Sequence, residues 1–324
     1  MKVLVTGGAG FIGSNYVRSL LRGAYPGYEN AHVTVLDRLT YAGNLANLAP
    51  VARHPGYAFR YGDVTDAALL AETVPGHDVV VNFAAETHVD RSITGAGDFV
   101  TTNVLGTQRL LQAALEGGVR TFVQVSTDEV YGSIAAGAWT EDEPLLPNSP
   151  YSAAKAGADL LCRAYHRTHG LDVRITRCSN NYGPYQYPEK LIPLFVTRLL
   201  DGERVPLYGD GMNVREWLHV DDHCRGIQLV LEKGEPGQVY NIGGGVELTN
   251  RELVDRLLAA VGAGWDRVDM VPDRPGHDRR YAVDSGRLRA IGFLPAVGFD
   301  RGLAEVVGWY RDHQAWWRPL KRGR

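Results

Sequence analysis

Lys2-Val3-Leu4-Val5-Thr6 is a short, largely β-branched run, and Gly7, Gly10 and Gly13 follow it at intervals of three. Val17, Leu20 and Leu21 then recur at helical spacing. Three glycines alone say little. Set between a strand and a helix, they point to a βα unit whose turn cradles a phosphate. Gly7 serves the tight turn, Gly10 lets the backbone approach a pyrophosphate, and Gly13 lets the helix pack closely. The helix start, at Phe11 and Ile12, offers unpaired N–H groups and positive potential to an anion. A tight turn with no ligand is the weaker reading.

The pattern repeats downstream. His32 to Asp37 reads as a second strand ending on a carboxylate. Asp37 can accept from adenosine ribose hydroxyls and repels a 2′-phosphate, which favours NAD over NADP. The adjacent Arg38 pulls the other way. Residues 57–64 read as a third strand, with Asp63 near its end as a turn acid or an adenine contact. Residues 78–85 read as a fourth, and the small Ala84 and Ala85 let a cofactor lie against the backbone. A helix is expected over 99–116; its Asn103 is either a buried amide or a brace for the cofactor loop.

Thr121 to Val125 reads as a fifth strand, leading into Ser126-Thr127-Asp128-Glu129-Val130-Tyr131-Gly132. In open α/β sheets ligands bind beyond the carboxyl ends of the strands, so Thr127, Asp128 and Glu129 face a crevice. Tyr151 and Lys155 stand four apart on a helix expected over 151–169 and share one face. Residues 171–177 read as a sixth strand. This alternation predicts a Rossmann-type doubly wound parallel sheet. Beyond Ser179 amides and turn formers take over. We read residues 1–178 as a dinucleotide-binding domain, with later segments such as 219–232 returning to it. Residues 179–324 read mainly as a smaller α/β lobe for the substrate, and the Arg-rich stretch 318–324 as solvated or disordered.

The 324 residues carry a net charge of −3, without the basic excess a nucleic-acid partner requires. Cys162, Cys178 and Cys224 stand far apart and form no Cys-x-x-Cys pair, which fits a reducing cytoplasm. No stretch reaches the ~20 apolar residues of a membrane span, the first apolar run is no signal peptide, and no metal site is read.

Four stretches carry a resemblance: Ala84 to Ser92, Ser126 to Gly132, Asn180 to Lys190, and Asp273 to Asp278. Together with the Gly-x-x-Gly-x-x-Gly spacing, they resemble the dTDP-glucose 4,6-dehydratases, members of the extended short-chain dehydrogenase/reductase group. The resemblance covers nearly the whole chain; Thr87 departs from the family's usual serine. It implies tightly held NAD that is regenerated in each turnover. Tyr151 would take the C4 hydroxyl proton as a phenolate whose pKa Lys155 lowers, while Thr127 bonds the reacting oxygen. Glu129 would remove the C5 proton, and Asp128, protonated, would expel the C6 hydroxyl as water. Hydride removed at C4 would return at C6. Against NAD the resemblance sets the three glycines, Phe11, Ile12, Asp37, Thr40, Asp63, Val64, Ala84, Ala85, Thr102 and Asn181, with Tyr151 and Lys155. To the nucleotide-sugar it assigns Thr87, Asn180, Lys190, Leu191, Pro206, Tyr208, Arg215, Asn250, Arg274, His277 and Tyr281. Arg215, Arg274 and His277 suit a diphosphate as a set. Glu86, Asp90 and Arg91 read as a structural ion-pair cluster. A homodimer packed through the helices at 99–116 and 151–169 is the family expectation.

A nucleotide-sugar 4-epimerase or decarboxylase of the same fold would use the tyrosine, the lysine and transient C4 oxidation. Neither needs an acid for a C6 hydroxyl, so the Asp128-Glu129 pair discriminates. A GDP-mannose dehydratase is closer in its chemistry, but resembling proteins there use NADP, which Asp37 disfavours. A non-catalytic cofactor-sensing protein would have no need of all five reactive groups, and a purely structural scaffold none for polar strand ends.

Overall fold

The computed structural model describes residues 1–322. In chain order the first half runs β1 (Lys2–Thr6), α1 (Phe11–Leu21), β2 (His32–Asp37), a 3₁₀ turn (Leu45–Val51), β3 (Tyr57–Tyr61), α2 (Ala67–Thr73), β4 (Val79–Asn82), α3 (Val89–Thr94) and α4 (Gly97–Phe99). A π-helical segment (Val100–Leu105) leads into α5 (Gly106–Glu116). Then come β5 (Thr121–Thr127), a 3₁₀ turn (Asp128–Tyr131), α6 (Pro150–His169) and β6 (Val173–Cys178). The remainder runs β7 (Asn180–Tyr182), α7 (Leu191–Leu200), β8 (Val205–Tyr208), β9 (Val214–His219), α8 (Val220–Lys233), β10 (Val239–Ile242), β11 (Val246–Thr249), α9 (Asn250–Val261), β12 (Val268–Val271), α10 (Gly286–Ala290), α11 (Phe299–Asp312) and α12 (Gln314–Arg322).

Seven parallel strands form the main sheet in the order β10-β6-β5-β4-β1-β2-β3. Val79, Val80 and Val81 are all buried, as a strand covered on both faces requires. Tyr16, Val17 and Leu20 of α1 and Ile227 and Val230 of α8 cover one face. Leu110 and Leu111 of α5 and Cys162 and Tyr165 of α6 cover the other. Strand order reverses between β1 and β4, which opens a crevice at their carboxyl ends. Two small sheets, β11-β9-β7 and β12-β8, accompany a second core built from α7, α9, α11 and α12.

Several element ends differ from the sequence expectation. β3 stops at Tyr61, because the Asp63 carboxylate turns the chain by accepting from Thr65 N–H. β4 spans only Val79–Asn82; one further bond, Phe83 N–H to the Thr6 carbonyl, precedes a loop at Ala84 and Ala85. β5 runs on to Thr127, since Ser126 and Thr127 pair with Arg177 and Cys178 of β6. β6 itself begins at Val173. The helix expected over 99–116 is interrupted by the π segment. α6 opens at Pro150 behind a Ser149–Ser152 capping box. β10 joins the large sheet beside β6, so chain beyond residue 179 completes that sheet.

The largest correction concerns the stretch read as a solvated or disordered tail. Residues 314–322 are helical, while 323–324 lie outside the described residues. Trp317 is fully buried and its indole N–H donates to the Tyr310 carbonyl at 2.7 Å. Trp316 donates to Asn47 Oδ1 at 2.9 Å, and Arg318 and Lys321 pair with Asp201. The arginines masked an amphipathic helix with two indoles on its apolar side. Trp317→Ala is expected to destabilise the protein by about 3–5 kcal/mol in chemical denaturation; a loss below ~1 kcal/mol would return the segment to solvent.

Candidate active site

The crevice between β1 and β4 continues into a cleft of about 450 Å³ that reaches the second lobe. Its floor is the glycine turn. Gly7 sits at φ +67°, and a Cβ there would lie 2.6 Å from Ala84 N. A Cβ on Gly13 would meet the Gly7 carbonyl oxygen at 2.5 Å. The turn therefore packs backbone on backbone. Gly10 N-caps α1 without a side chain, and the first-turn N–H groups of α1 have no intrahelical acceptors. That arrangement fits a pyrophosphate.

At the far end Asp37 accepts from Ala9 and Leu39 N–H, at 2.9 and 2.8 Å. Burial raises its pKa and those two bonds draw it back. Arg38, which weakened the NAD reading, is fully engaged: it pairs with Asp63 at 2.7 Å and Glu86 at 3.2 Å. A guanidinium held between two carboxylates is a poor receptor for a 2′-phosphate. The residues thus fit NAD. Asn103 also resolves. Its amide accepts from Glu86 N–H and donates to the Glu86 carbonyl, bracing the loop after β4.

Thr127, Asp128, Glu129, Tyr151 and Lys155 meet midway along the cleft. Thr127 donates to Asp128 Oδ1 and accepts from Glu129 N–H, both at 3.2 Å. Asp128 is 2% exposed, and its Oδ2 has no protein partner among the described residues. Burial, then Glu129 and Glu216, hold Asp128 well above the usual carboxylate range. Burial also raises Glu129, but Lys190, Arg274 and Arg215 pull it back. Two adjacent carboxylates therefore face unlike surroundings, which separates a proton donor from a proton acceptor.

Lys155 departs from expectation. Its ammonium donates to the Val125 carbonyl at 2.7 Å, and after burial, which lowers its pKa, Asp159 is the main charge acting on it. The Tyr151 phenol is raised well above its ordinary value by burial, then by Glu129, Cys178 and Asp128, and the Thr127 hydroxyl lowers it. Sharing a helix face brings the two residues into one cleft, but the lysine stem ends against the β5 backbone.

Arg215, Arg274, Lys190 and His277 gather at the substrate end. Arg215 is 5% exposed, donates to the Val214 and Asp278 carbonyls, and has no carboxylate partner among the described residues. Burial lowers its pKa. Arg274 pairs with Asp90 at 2.9 Å, and its Nε lacks a protein partner. Half-buried Asn180 and buried Asn250 each keep a buried, unpartnered amide oxygen on the cleft wall. Cations and amides left short of partners mark a site built for a polar, anionic ligand.

Every residue that the resemblance assigned to the chemistry, to NAD or to the nucleotide-sugar lines this cleft except Tyr281. Tyr281 donates its hydroxyl to Asp278, and the Arg215 guanidinium lies 4.3 Å above its ring, so it backs the arginine. Asn181 reaches the cleft with a committed side chain: it donates to the Ser179 carbonyl, and its Oδ1 pairs with His223 Nδ1 at 2.9 Å. Of the expected ion-pair cluster, Glu86 pairs with Arg38 and Asp90 with Arg274, while Arg91 covers the Tyr41 ring at 3.9 Å. Sequence reasoning missed Glu189, His88 and Gln186, which also line the cleft. Glu189 stands directly before Lys190 in a stretch already marked out, and its acidity there was the available signal.

The family model of GDP-mannose 4,6 dehydratase matches residues 4–306. The dTDP-glucose 4,6-dehydratase of Streptomyces niveus is 62% identical over 322 residues, covering 99% of this chain and 96% of that protein. DesIV, the dTDP-glucose 4,6-dehydratase of Streptomyces venezuelae, crystallised with NAD bound, superposes with a TM-score of 0.98 at 64% identity, covering 99% of this chain and all of that one. The UDP-glucose 4-epimerase of Thermotoga maritima has a TM-score of 0.89 at 31% identity, covering 97% of this chain and 100% of that one. The chain thus belongs to the nucleotide-sugar dehydratase family of the GDP-mannose 4,6 dehydratase model, and within it to the dTDP-glucose 4,6-dehydratases.

Proposed function

We infer that the protein converts dTDP-glucose to dTDP-4-keto-6-deoxyglucose and water with NAD as its cofactor, in deoxysugar biosynthesis. The observation that carries this is the Thr127-Asp128-Glu129 cluster at the end of β5, where a buried acid stands beside a carboxylate surrounded by cations. A 4-epimerase has no use for that acid. Bound NAD supplies the two-electron redox partner for the sugar carbons and a positive charge near Tyr151. The glycine turn would hold its pyrophosphate, Asp37 its adenosine ribose, and Ala84, Ala85, Thr102 and Lys155 would lie along it.

Tyr151, as a phenolate that the positive charge of bound NAD would favour against the burial that raises its pKa, takes the proton of the C4 hydroxyl, and Thr127 bonds the same oxygen. The C4 ketone makes the C5 hydrogen acidic, because the resulting carbanion is an enolate. Glu129 removes that proton. Asp128 gives its proton to the departing C6 oxygen, so water leaves rather than hydroxide. A solvent-exchanged proton is then delivered to C5. Arg215 and Arg274 would hold the diphosphate, and Lys190, Asn180 and Asn250 would orient the nucleotide-sugar. Turnover of dTDP-glucose in deuterated water with no added NAD tests the assignment. Mass spectrometry should find loss of one water and a single deuterium at C5. A product of unchanged mass would move the assignment to an epimerase.

The carboxylate environments set a pH profile. Asp128 must be protonated, and its raised pKa keeps it so above the ordinary range; the rate falls as pH climbs through that value. Glu129 must be ionised, and its raised pKa moves the acid limb above the usual glutamate value. Single-turnover elimination should therefore be bell-shaped, with both limbs belonging to the coupled pair. Asp128→Asn should spare C4 oxidation, slow elimination by roughly 10²–10⁴-fold and abolish the alkaline limb, whereas Tyr151→Phe should block the oxidation itself. Equal loss of both steps in Asp128→Asn would remove its role.

The same reading extends to assembly and setting. Val100, Leu105 and Leu160 are exposed on the π segment and α6, which supports a homodimer packed through these helices. Leu160→Glu should sediment as a monomer; an unchanged dimer would exclude α6 from the contact. A cytoplasmic location accords with three free, buried cysteines, and no helix among the described residues is long and apolar enough to cross a membrane.

A further inference from the structure

Glu189 is a buried carboxylate with no part in the proton transfers above. Its side chain is 4% exposed, on the turn between β7 and α7. Oε1 accepts from the Tyr41 hydroxyl at 3.0 Å, and Oε2 lies 3.6 Å from His88 Nε2. Lys190, the next residue, donates to the Thr87 carbonyl at 2.6 Å. The Tyr41 ring is fixed on two sides, by the Arg91 guanidinium at 3.9 Å and by the edge of Tyr187 at 5.5 Å.

Glu189 and Lys190 together tie three segments far apart in sequence, the carboxylate through its one hydrogen bond to Tyr41 and the ammonium through the Thr87 carbonyl, while Glu189 Oε2 has no hydrogen-bond partner among the described residues. Tyr41 follows β2, Thr87 and His88 follow β4, and Glu189 and Lys190 precede α7. Each segment contributes to the cleft wall, the first through Thr40, Ala42 and Gly43. The first two flank the crevice at the strand-order reversal, and the third leads into the helix packed in the second core. Ordinary interlobe packing would be served by apolar side chains. A buried carboxylate is costly to strip of a bond, and Glu189 has a single one, to Tyr41, so this joint holds only while the two walls it spans stay in register.

The reaction regenerates its own cofactor, so the protein gains nothing by releasing NAD between turnovers. We propose that Glu189 is a positioning residue that, with Lys190, latches the three walls together and retains NAD from one turnover to the next. The proposal rests on the dehydratase reading above.

Tyr41→Phe removes one hydroxyl and leaves the ring packing. Its purified protein should release NAD about tenfold faster than the unmodified protein, as expected for loss of one charge-assisted hydrogen bond. The measurement is cofactor content by chromatography after dilution and gel filtration. Activity should come to depend on added NAD, with the same product at saturation, and Tyr41→Phe, which strips the buried carboxylate of its hydrogen bond, should lower the melting midpoint more than Glu189→Gln does. Glu189→Gln, which keeps the shape and loses the charge, should shift NAD release in the same direction. Unchanged release in both variants would overturn the proposal. So would faster release accompanied by an equal fall in melting midpoint in both, since that is what a merely structural contact gives. Failure of the unmodified protein to dehydrate dTDP-glucose would overturn the dehydratase reading instead, and the release rates would still report on the latch.

Discussion

The approach of Gly7 to the backbone of Ala84 sets the geometry on which the cleft depends. β1 and β4 are neighbours in the sheet, but their connections leave in opposite directions, and a crevice opens only if the two exits stay close without filling it. A Cβ at Gly7 would lie 2.6 Å from Ala84 N, and one at Gly13 would strike the Gly7 carbonyl. With both absent, the start of α1 is drawn onto the strand ends and its unpaired N–H groups face the crevice. Asp37 then fixes the same turn from the side through Ala9 N–H. The floor is backbone, held by backbone, and the side chains around it are left for chemistry.

Charge is distributed along the cleft with a consistent logic. At the adenosine end cations are matched: Arg38 sits between Asp63 and Glu86. At the substrate end they are under-matched, with Arg215 buried against carbonyls and an aromatic ring. A desolvated guanidinium without a carboxylate is unfavourable until an anion arrives, so the second region suits an anion and the first does not. Between them, burial raises both Asp128 and Glu129, but Lys190, Arg274 and Arg215 draw Glu129 back, whereas Glu129 and Glu216 push Asp128 higher. The uncompensated charge that would hold a diphosphate also keeps Glu129 easier to ionise than Asp128.

Much of this was legible in the sequence because it is local. A glycine trio after a strand, carboxylates at strand ends and a Tyr-Lys pair four apart each state their geometry within a few residues. What the sequence hid is where long side chains finish. Lys155 shares a helix face with Tyr151, but its ammonium ends on Val125, thirty positions away in the chain. Tyr281 was grouped with ligand-facing residues, yet its partner is Arg215. Arg38 was ambiguous until Asp63 and Glu86, from two other strand ends, closed on it. The stretch 318–324 read as solvated because charge dominates it, although Trp317, just before it, buries one side of the helix. The π segment left no local mark; only its bonded partner, Glu86, shows why Asn103 must turn inward.

That last helix also orders events in time. Trp316 bonds Asn47 across 269 positions, and Tyr187 reaches the Leu320 carbonyl across 133. A chain that emerges from the ribosome N-terminus first holds a finished glycine turn and most of its sheet long before these partners exist. Closure of one lobe on the other therefore belongs to the end of synthesis, and such distant contacts are slow to form.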